Sequence, residues 1–214
     1  MIPPQGVPSM ISRHVAARTA AAALCILLIL PPSARGDLKG QLDEILHLIR
    51  EKNYLTALED LKFIVQQIQD LRLAEVQPLY PEAPEGWLAE APLRTSSEDD
   101  FWSRRLEVRR KYLPSEGAGK VEIIFDFYSP LLPAVTMSLN PVYIAGDPLS
   151  EAVKMGGFPG RLQFNPDTGE GELLLVLEEP VLLSIVGRGI KGQSVLREFA
   201  SLIDLDALTA FTSP

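Results

Sequence analysis

The sequence predicts an α+β protein: an N-terminal helical hairpin and a C-terminal helix packed on an antiparallel β-sheet. Three observations carry that expectation. Apolar residues recur at helical spacing from Leu38 to Leu71, strict two-residue alternation follows in the middle of the chain, and apolar runs punctuated by Asn, Pro, Asp and Gly precede a final helical pattern. Strands thus follow one another through turns, with helices at the ends, which argues against alternating βαβ units. The expected organisation is a signal peptide over 1–36, a helical hairpin over 37–77, a Pro-rich connector over 78–86 and an α+β sheet domain over 87–214.

The first 36 residues contain Arg13, His14 and Arg18, no acid, and an apolar run from Ala20 to Leu30. That is the pattern of a secretory signal, and the run is shorter than the roughly 20 residues a membrane-spanning helix needs. Pro31 and Pro32 end it, and Ala34-Arg35-Gly36 offers small residues for cleavage after Gly36, with cleavage after Ala34 as the alternative. Cys25, the single cysteine, follows Leu24 where a lipidated cysteine needs a small residue, and it leaves with the signal. Processing also removes Arg13, Arg18 and Arg35 and no acid, so the formal charge moves from −8 to −11. The expected location is periplasmic or secreted, with the secretion machinery a transient partner. So acidic a surface repels phosphate, so nucleic acid is not expected as a partner.

Leu38, Leu42, Ile45, Leu46 and Ile49 share one helical face, with Asp37 placed to cap it. After Asn53, Ala57, Leu58, Leu61, Ile64, Val65, Ile68 and Leu71 form a second face, Thr56 and Glu59 have capping-box spacing, and Pro78 is the stop. The two faces can bury each other only in part, so an exposed stripe along Leu58, Leu61, Val65 and Ile68 would mark a docking or dimerisation surface. Asn53-Tyr54 with Ala57-Leu58 resembles half of a tetratricopeptide repeat, but no second copy follows at a period of about 34 residues.

Prolines at 78, 81 and 84 predict an extended connector. Trp102, Leu106, Val108 and Tyr112 then alternate, as do Val121, Ile123, Phe125 and Phe127. A turn over 114–119 pairs Tyr112 with Val121, Val108 with Phe125 and Leu106 with Phe127, and sets Lys111 against Glu122. A short helix is expected within 129–140, starting at Pro133 with Leu131, Leu132, Val135 and Leu139 as its apolar side, and 141–159 gives no clear pattern. The stretch from Gly160 to Leu177 predicts a β-hairpin closed by Asn165-Pro-Asp-Thr-Gly169, and Val181 to Val186 predicts a strand buried on both faces. Ser194 is placed to cap a last helix whose inner face is Val195, Leu196, Phe199, Leu202 and Ile203.

Catalytic chemistry has little to stand on. His47 is the one histidine outside the signal, no cysteine accompanies it, and neither Ser-x-x-Lys nor Gly-x-Ser-x-Gly occurs, so no catalytic residue, metal ligand or cofactor is assigned. Glu98-Asp99-Asp100 and the Asn165/Asp167/Gly169 turn lack the spacing of a calcium loop. One local charge anomaly stands out: Arg104, Arg105, Arg109, Arg110 and Lys111 crowd one strand. Arg105, Arg109 and Lys111 fall on the polar face beside acids such as Glu122. Arg104 and Arg110 fall on the apolar side, where a guanidinium must snorkel, meet a buried acid or face a cavity holding an anionic ligand. They are the expected ligand-binding residues.

Ala57-Leu58, Pro84-Glu85-Gly86-Trp87, Ser129-Pro130-Leu131-Leu132, Asn140-Pro141, Gly171-Glu172-Leu173, Val186-Gly187-Arg188-Gly189 and Ile203-Asp204 together resemble a group of uncharacterised bacterial exported proteins, over about Tyr54 to Leu208. The resemblance implies export and an α+β fold, and it implies no activity. The expected function is therefore non-enzymatic: an exported envelope protein that binds a small anionic or amphipathic ligand or another envelope protein. The rival is a carboxylate-dependent hydrolase or lyase drawing on Glu98, Asp99, Asp100, Glu122 and Asp126.

Overall fold

The computed structural model describes residues 38–95, 104–177 and 181–211. The signal segment with Cys25, the Asp37 cap, the Glu98-Asp99-Asp100 group and Trp102 lie outside them. The described residues give an α+β fold with an antiparallel sheet. Among them no helix is long and apolar enough to cross a membrane.

Helices α1 (Leu38–Arg50) and α2 (Tyr54–Val76) form the N-terminal pair. The reversal between them is a Schellman turn: the Asn53 amide bonds to the Leu48 carbonyl and the Lys52 amide to the Ile49 carbonyl, with Lys52 at φ 63 in the left-handed position that glycine ordinarily takes. The expected capping box at Thr56 and Glu59 does not form. Thr56 Oγ1 donates instead to Asn53 Oδ1, and the helix starts without a side-chain cap. A 3-10 turn at Gln77–Leu79 ends α2 at Pro78 as expected.

Strands β1 (Trp87–Ala89) and β2 (Leu93–Thr95) both pair with β3 (Leu106–Pro114) and make its broken outer edge. Next to β3 lies β4 (Lys120–Phe127), in the register that alternation predicts: Tyr112 faces Val121, Val108 faces Phe125, Leu106 faces Phe127 and Lys111 faces Glu122. The chain then passes through α3 (Leu132–Ser138) and α4 (Pro141–Ala145) to the far edge. From there β5 (Ser150–Met155), β6 (Phe158–Asn165), β7 (Glu170–Val176) and β8 (Val181–Arg188) step back toward β4. The order is β1-β3-β4-β8-β7-β6-β5, antiparallel throughout. Gly169 at φ 67 closes the β6–β7 hairpin, and Asn165 Oδ1 accepts the Asp167 amide, so turn chemistry accounts for the residues with a calcium-loop look.

The even residues of β3 and the odd residues of β4 point to one face. Leu106, Val108, Tyr112, Val121, Ile123, Phe125 and Phe127 are buried there with Leu162, Leu173, Leu175, Leu183 and Ile185. Helix α5 (Gln193–Ser201) covers this core through Leu196, Phe199 and Ala200, and α6 (Leu205–Ala210) through Leu208. Phe199 stacks edge-on against Trp87 at 5.1 Å, and Tyr80 stacks on Phe125 at 4.2 Å. Burial pushes the Tyr80 hydroxyl far above its ordinary value and Tyr112 up to about 12, so both remain neutral donors, to the Val108 and Pro81 carbonyls respectively.

Several local expectations need correcting. The C-terminal helix is two helices. Position Gly192, not Ser194, precedes α5, and Asp204 caps α6 by accepting the Ala207 amide, a cap hidden in what reads as one continuous apolar stretch. Leu202 faces solvent as a result. Helix α3 starts at Leu132, one residue before Pro133, because proline is tolerated at the second helical position, and Leu131 is exposed. The patternless stretch holds α4 and the edge strand β5.

Candidate functional site

The arginines at and just before β3 divide into three groups by their partners. On the outer face, Arg105 Nε donates to Asp126 Oδ1 at 3.0 Å and Arg105 Nη2 to Glu107 Oε2 at 2.5 Å. Arg109 pairs with Glu107 and reaches Glu122 at 3.4 Å. The hydrogen bond that Arg109 donates to Glu107 holds its guanidinium above the ordinary value against the desolvation that opposes it. This ladder is the paired polar face that the sequence predicts. It also neutralises Glu122 and Asp126, two of the acids open to a carboxylate-dependent enzyme, and separates them by four positions along one strand, about 13 Å at strand rise.

Arg110 sits on the apolar side as expected, but it is a structural clamp. Its Nε donates to the Glu90 carbonyl at 2.9 Å and its Nη1 to the Pro81 carbonyl at 3.2 Å, while Cζ lies 5.5 Å from the Tyr112 ring centroid. The guanidinium thereby ties the Pro-rich connector and the end of β1 to the sheet. The guanidinium reaches these carbonyls along the sheet edge, the snorkelling outcome, and Arg110 does not line the three cavities described below.

Arg104 precedes β3 in a bend, and its side-chain partners differ from those of Arg110. Arg104 lines a cavity of about 370 Å³ with Arg72, Glu75, Tyr128 and Phe211. Its Cζ lies 4.3 Å from the Tyr128 ring centroid and its Nη2 donates to the Tyr128 hydroxyl at 2.8 Å. Arg72, on α2, donates from Nη1 to the Arg104 carbonyl at 3.2 Å, and burial lowers its guanidinium from the ordinary value, with the Arg104 charge adding to that shift and Tyr128 and Glu75 opposing it. Arginine so perturbed is still a cation at neutral pH. Among the described residues no carboxylate forms an ion pair with either guanidinium, although Glu75 stands on the cavity wall.

Tyr128 is held at φ 57, a backbone conformation that costs a bulky residue about 1–2 kcal/mol. Two neighbours enforce it. Phe127 is fully buried against Phe211 at 4.9 Å, and Ser129 is buried with its Oγ accepting the Leu131 amide at 3.3 Å. The chain must therefore turn within one residue, which throws the Tyr128 ring out beside Arg104. Sequence reasoning reaches Arg104 and misses Arg72, Tyr128 and Phe211. Nothing in a strand-end tyrosine or a single helical arginine sets it apart until the fold brings them together.

A second cavity, about 500 Å³, lies on the outer face at the β6–β7–β8 end, where Gln163, Glu172 and Val186 form one cross-strand row beneath Leu149, Glu170 and Arg188. Burial raises the Glu172 carboxyl above its ordinary value, and Arg161 at 3.9 Å opposes that shift. A third, apolar cavity of about 480 Å³ lies between α3, α4 and Pro159 and Val176 of the outer face. Among the described residues no group of three His, Cys, Asp or Glu could hold a metal ion.

The architecture and its arginine-lined cavity define a sheet protein of the α+β class. No family profile matches the chain, and neither a curated protein nor a solved structure matches it.

Proposed function

We propose that the protein is a non-enzymatic binding protein of the cell envelope, exported by the signal-like N-terminus, whose ligand is a small anion seated between Arg72, Arg104 and Tyr128. The observation that carries this reading is the pairing of two guanidiniums on one cavity with no ion-paired carboxylate among the described residues. Glu75 on the cavity wall offsets part of the like-charge repulsion without forming an ion pair, and an anion seated between the guanidiniums would relieve the rest. Arg104 is already ordered by stacking on Tyr128, so little side-chain entropy is lost on binding, and Phe211 supplies an apolar wall for the body of a carboxylate or phosphate ester. The N-terminal pattern and the resemblance to exported bacterial proteins support the envelope part of the proposal.

Native mass spectrometry of the full chain, purified as its own cell processes it, tests the reading. A retained anionic molecule that is lost on denaturation and absent from Arg104→Gln supports it. A bare protein in both samples, with no mass added by millimolar phosphate or carboxylates, refutes it. One observation favours a second reading, a carboxylate-dependent hydrolase: Glu172, with its raised carboxyl, lines a cavity with Glu170. Hydrolysis of any ester or glycoside that disappears in Glu172→Gln and survives in Arg104→Gln would favour that reading over anion binding.

A further inference from the structure

The N-terminal helices bury only part of their apolar surface. Helix α2 joins the core beneath the sheet at its C-terminal end, through Leu73 and Val76. Ile45 on α1 and Ala57 and Ile64 on α2 are buried but belong to no part of that core. Beside this buried edge each helix leaves a second one open. On α1 it is Leu42, Leu46 and Ile49, 44%, 49% and 41% exposed. On α2 it is Tyr54, Leu58 and Ile68, 57%, 50% and 44% exposed, with half-buried Leu61 and Val65 filling the gaps, while Leu55 and Phe63, 79% and 62% exposed, stand on other faces of the helix.

The spacing of the open edges says what fits them. On α2 the positions 54, 58, 61, 65 and 68 step by four and three without a break, and on α1 the positions 42, 46 and 49 do the same. A four-three seam is the pattern that receives the knobs of another helix, whereas a globular helix lying on a sheet shows a broader stripe. Two helices joined by a three-residue reversal, each with one apolar edge covered and one open, amount to half of a four-helix bundle.

We infer that the missing half is a second copy of the same hairpin, giving a two-fold dimer through α1 and α2. A two-fold axis presents the same patch on both sides, so one seam serves as both knobs and holes. Charge permits self-pairing. Residues 38–65 carry four basic and five acidic side chains, a net of −1 in a chain of net −8, so two copies meet there without the repulsion their other surfaces would produce. The area is also sufficient. The six open residues present roughly 500 Å² of apolar surface per copy, and with a polar rim the pair reaches the range of about 1,200 Å² where specific interfaces begin. This inference does not depend on the anion site, which uses Arg72 and the far end of α2.

Sedimentation equilibrium of the full chain, purified as the cell processes it, is the test, run beside Leu58→Glu and Leu46→Glu. Both residues are about half exposed, so the variants keep their fold, which far-UV circular dichroism and the urea midpoint check. The expected result is a wild-type dimer with no higher species and at least about tenfold weaker association in each variant, because every substitution is felt twice across the axis. A wild type that stays monomeric to hundreds of micromolar overturns the inference, as does a dimer that Leu58→Glu leaves intact. A monomer that binds lipid vesicles through Leu58 overturns it as well and assigns the seam to a membrane surface.

Discussion

Replacing Arg110 tests whether this arginine holds the connector, as its bonds indicate, or awaits a ligand. Arg110→Gln removes two charge-assisted donors, to the Glu90 carbonyl at 2.9 Å and the Pro81 carbonyl at 3.2 Å. A well-formed bond of this kind contributes about 1.5–3 kcal/mol; the longer bond and partial exposure bring the pair to about 2 kcal/mol. Tyr112→Phe removes the other donor to the Pro81 carbonyl, at 2.9 Å, and should cost about 1 kcal/mol or less, because Arg110 still satisfies that oxygen. Pro81 is buried, so the double variant orphans its carbonyl and should lose about 1 kcal/mol more than the sum of the single losses. Urea unfolding of the four proteins measures all three quantities. An Arg110→Gln loss below about 0.5 kcal/mol, with strict additivity to Tyr112→Phe, would refute the clamp.

Three further outcomes follow from single features. Lys52 carries a left-handed backbone at an exposed Schellman position, so Lys52→Gly should raise stability by about 0.5–1 kcal/mol in thermal unfolding, the relief of strain exceeding glycine's added entropy. Glu172 has a folded-state pKa raised by burial, so the folded form holds its proton more tightly than the unfolded chain and stability falls as pH rises from the ordinary glutamate value through the raised one. Glu172→Gln removes that fall, so its stability relative to wild type should improve between pH 4 and pH 7, and an unchanged difference across that range would contradict the assignment. The hairpin dimer should weaken at least about tenfold in Leu58→Glu when followed by sedimentation.

How much of this was legible in the sequence depended on whether the signal was local. The β3–β4 register could be read because each strand is apolar on one face only, and a slip of one residue would turn Val108 and Phe125 to solvent. The β6–β7 hairpin could be read because Gly169 supplies a conformation few other residues tolerate. Strands β1 and β2, three residues each and set among prolines, are too short to show a period, and their pairing is dictated by the exposed edge of β3. Helix α6 was hidden because Ile203, Leu205 and Leu208 extend the apolar spacing of α5 across the Asp204 cap.

The site was legible in half. A basic run in an acidic chain singled out Arg104, but alternation could not tell that Arg104 falls before the strand and Arg110 within it. Nor could it supply the partners. Arg72 stands 32 residues before Arg104 and Tyr128 stands 24 after it, and only the crossing of α2 with the ends of β3 and β4 unites them.

The proposal of an anion site is tested most directly by the thermal midpoint of the full chain in increasing inorganic phosphate, against chloride at equal ionic strength, for wild type and Arg104→Gln. Binding to the folded state alone raises the midpoint as ligand exceeds its dissociation constant. An anion site between Arg72 and Arg104 gives a phosphate-specific rise in wild type that Arg104→Gln abolishes; equal curves in phosphate and chloride, or an equal rise in the variant, would contradict it.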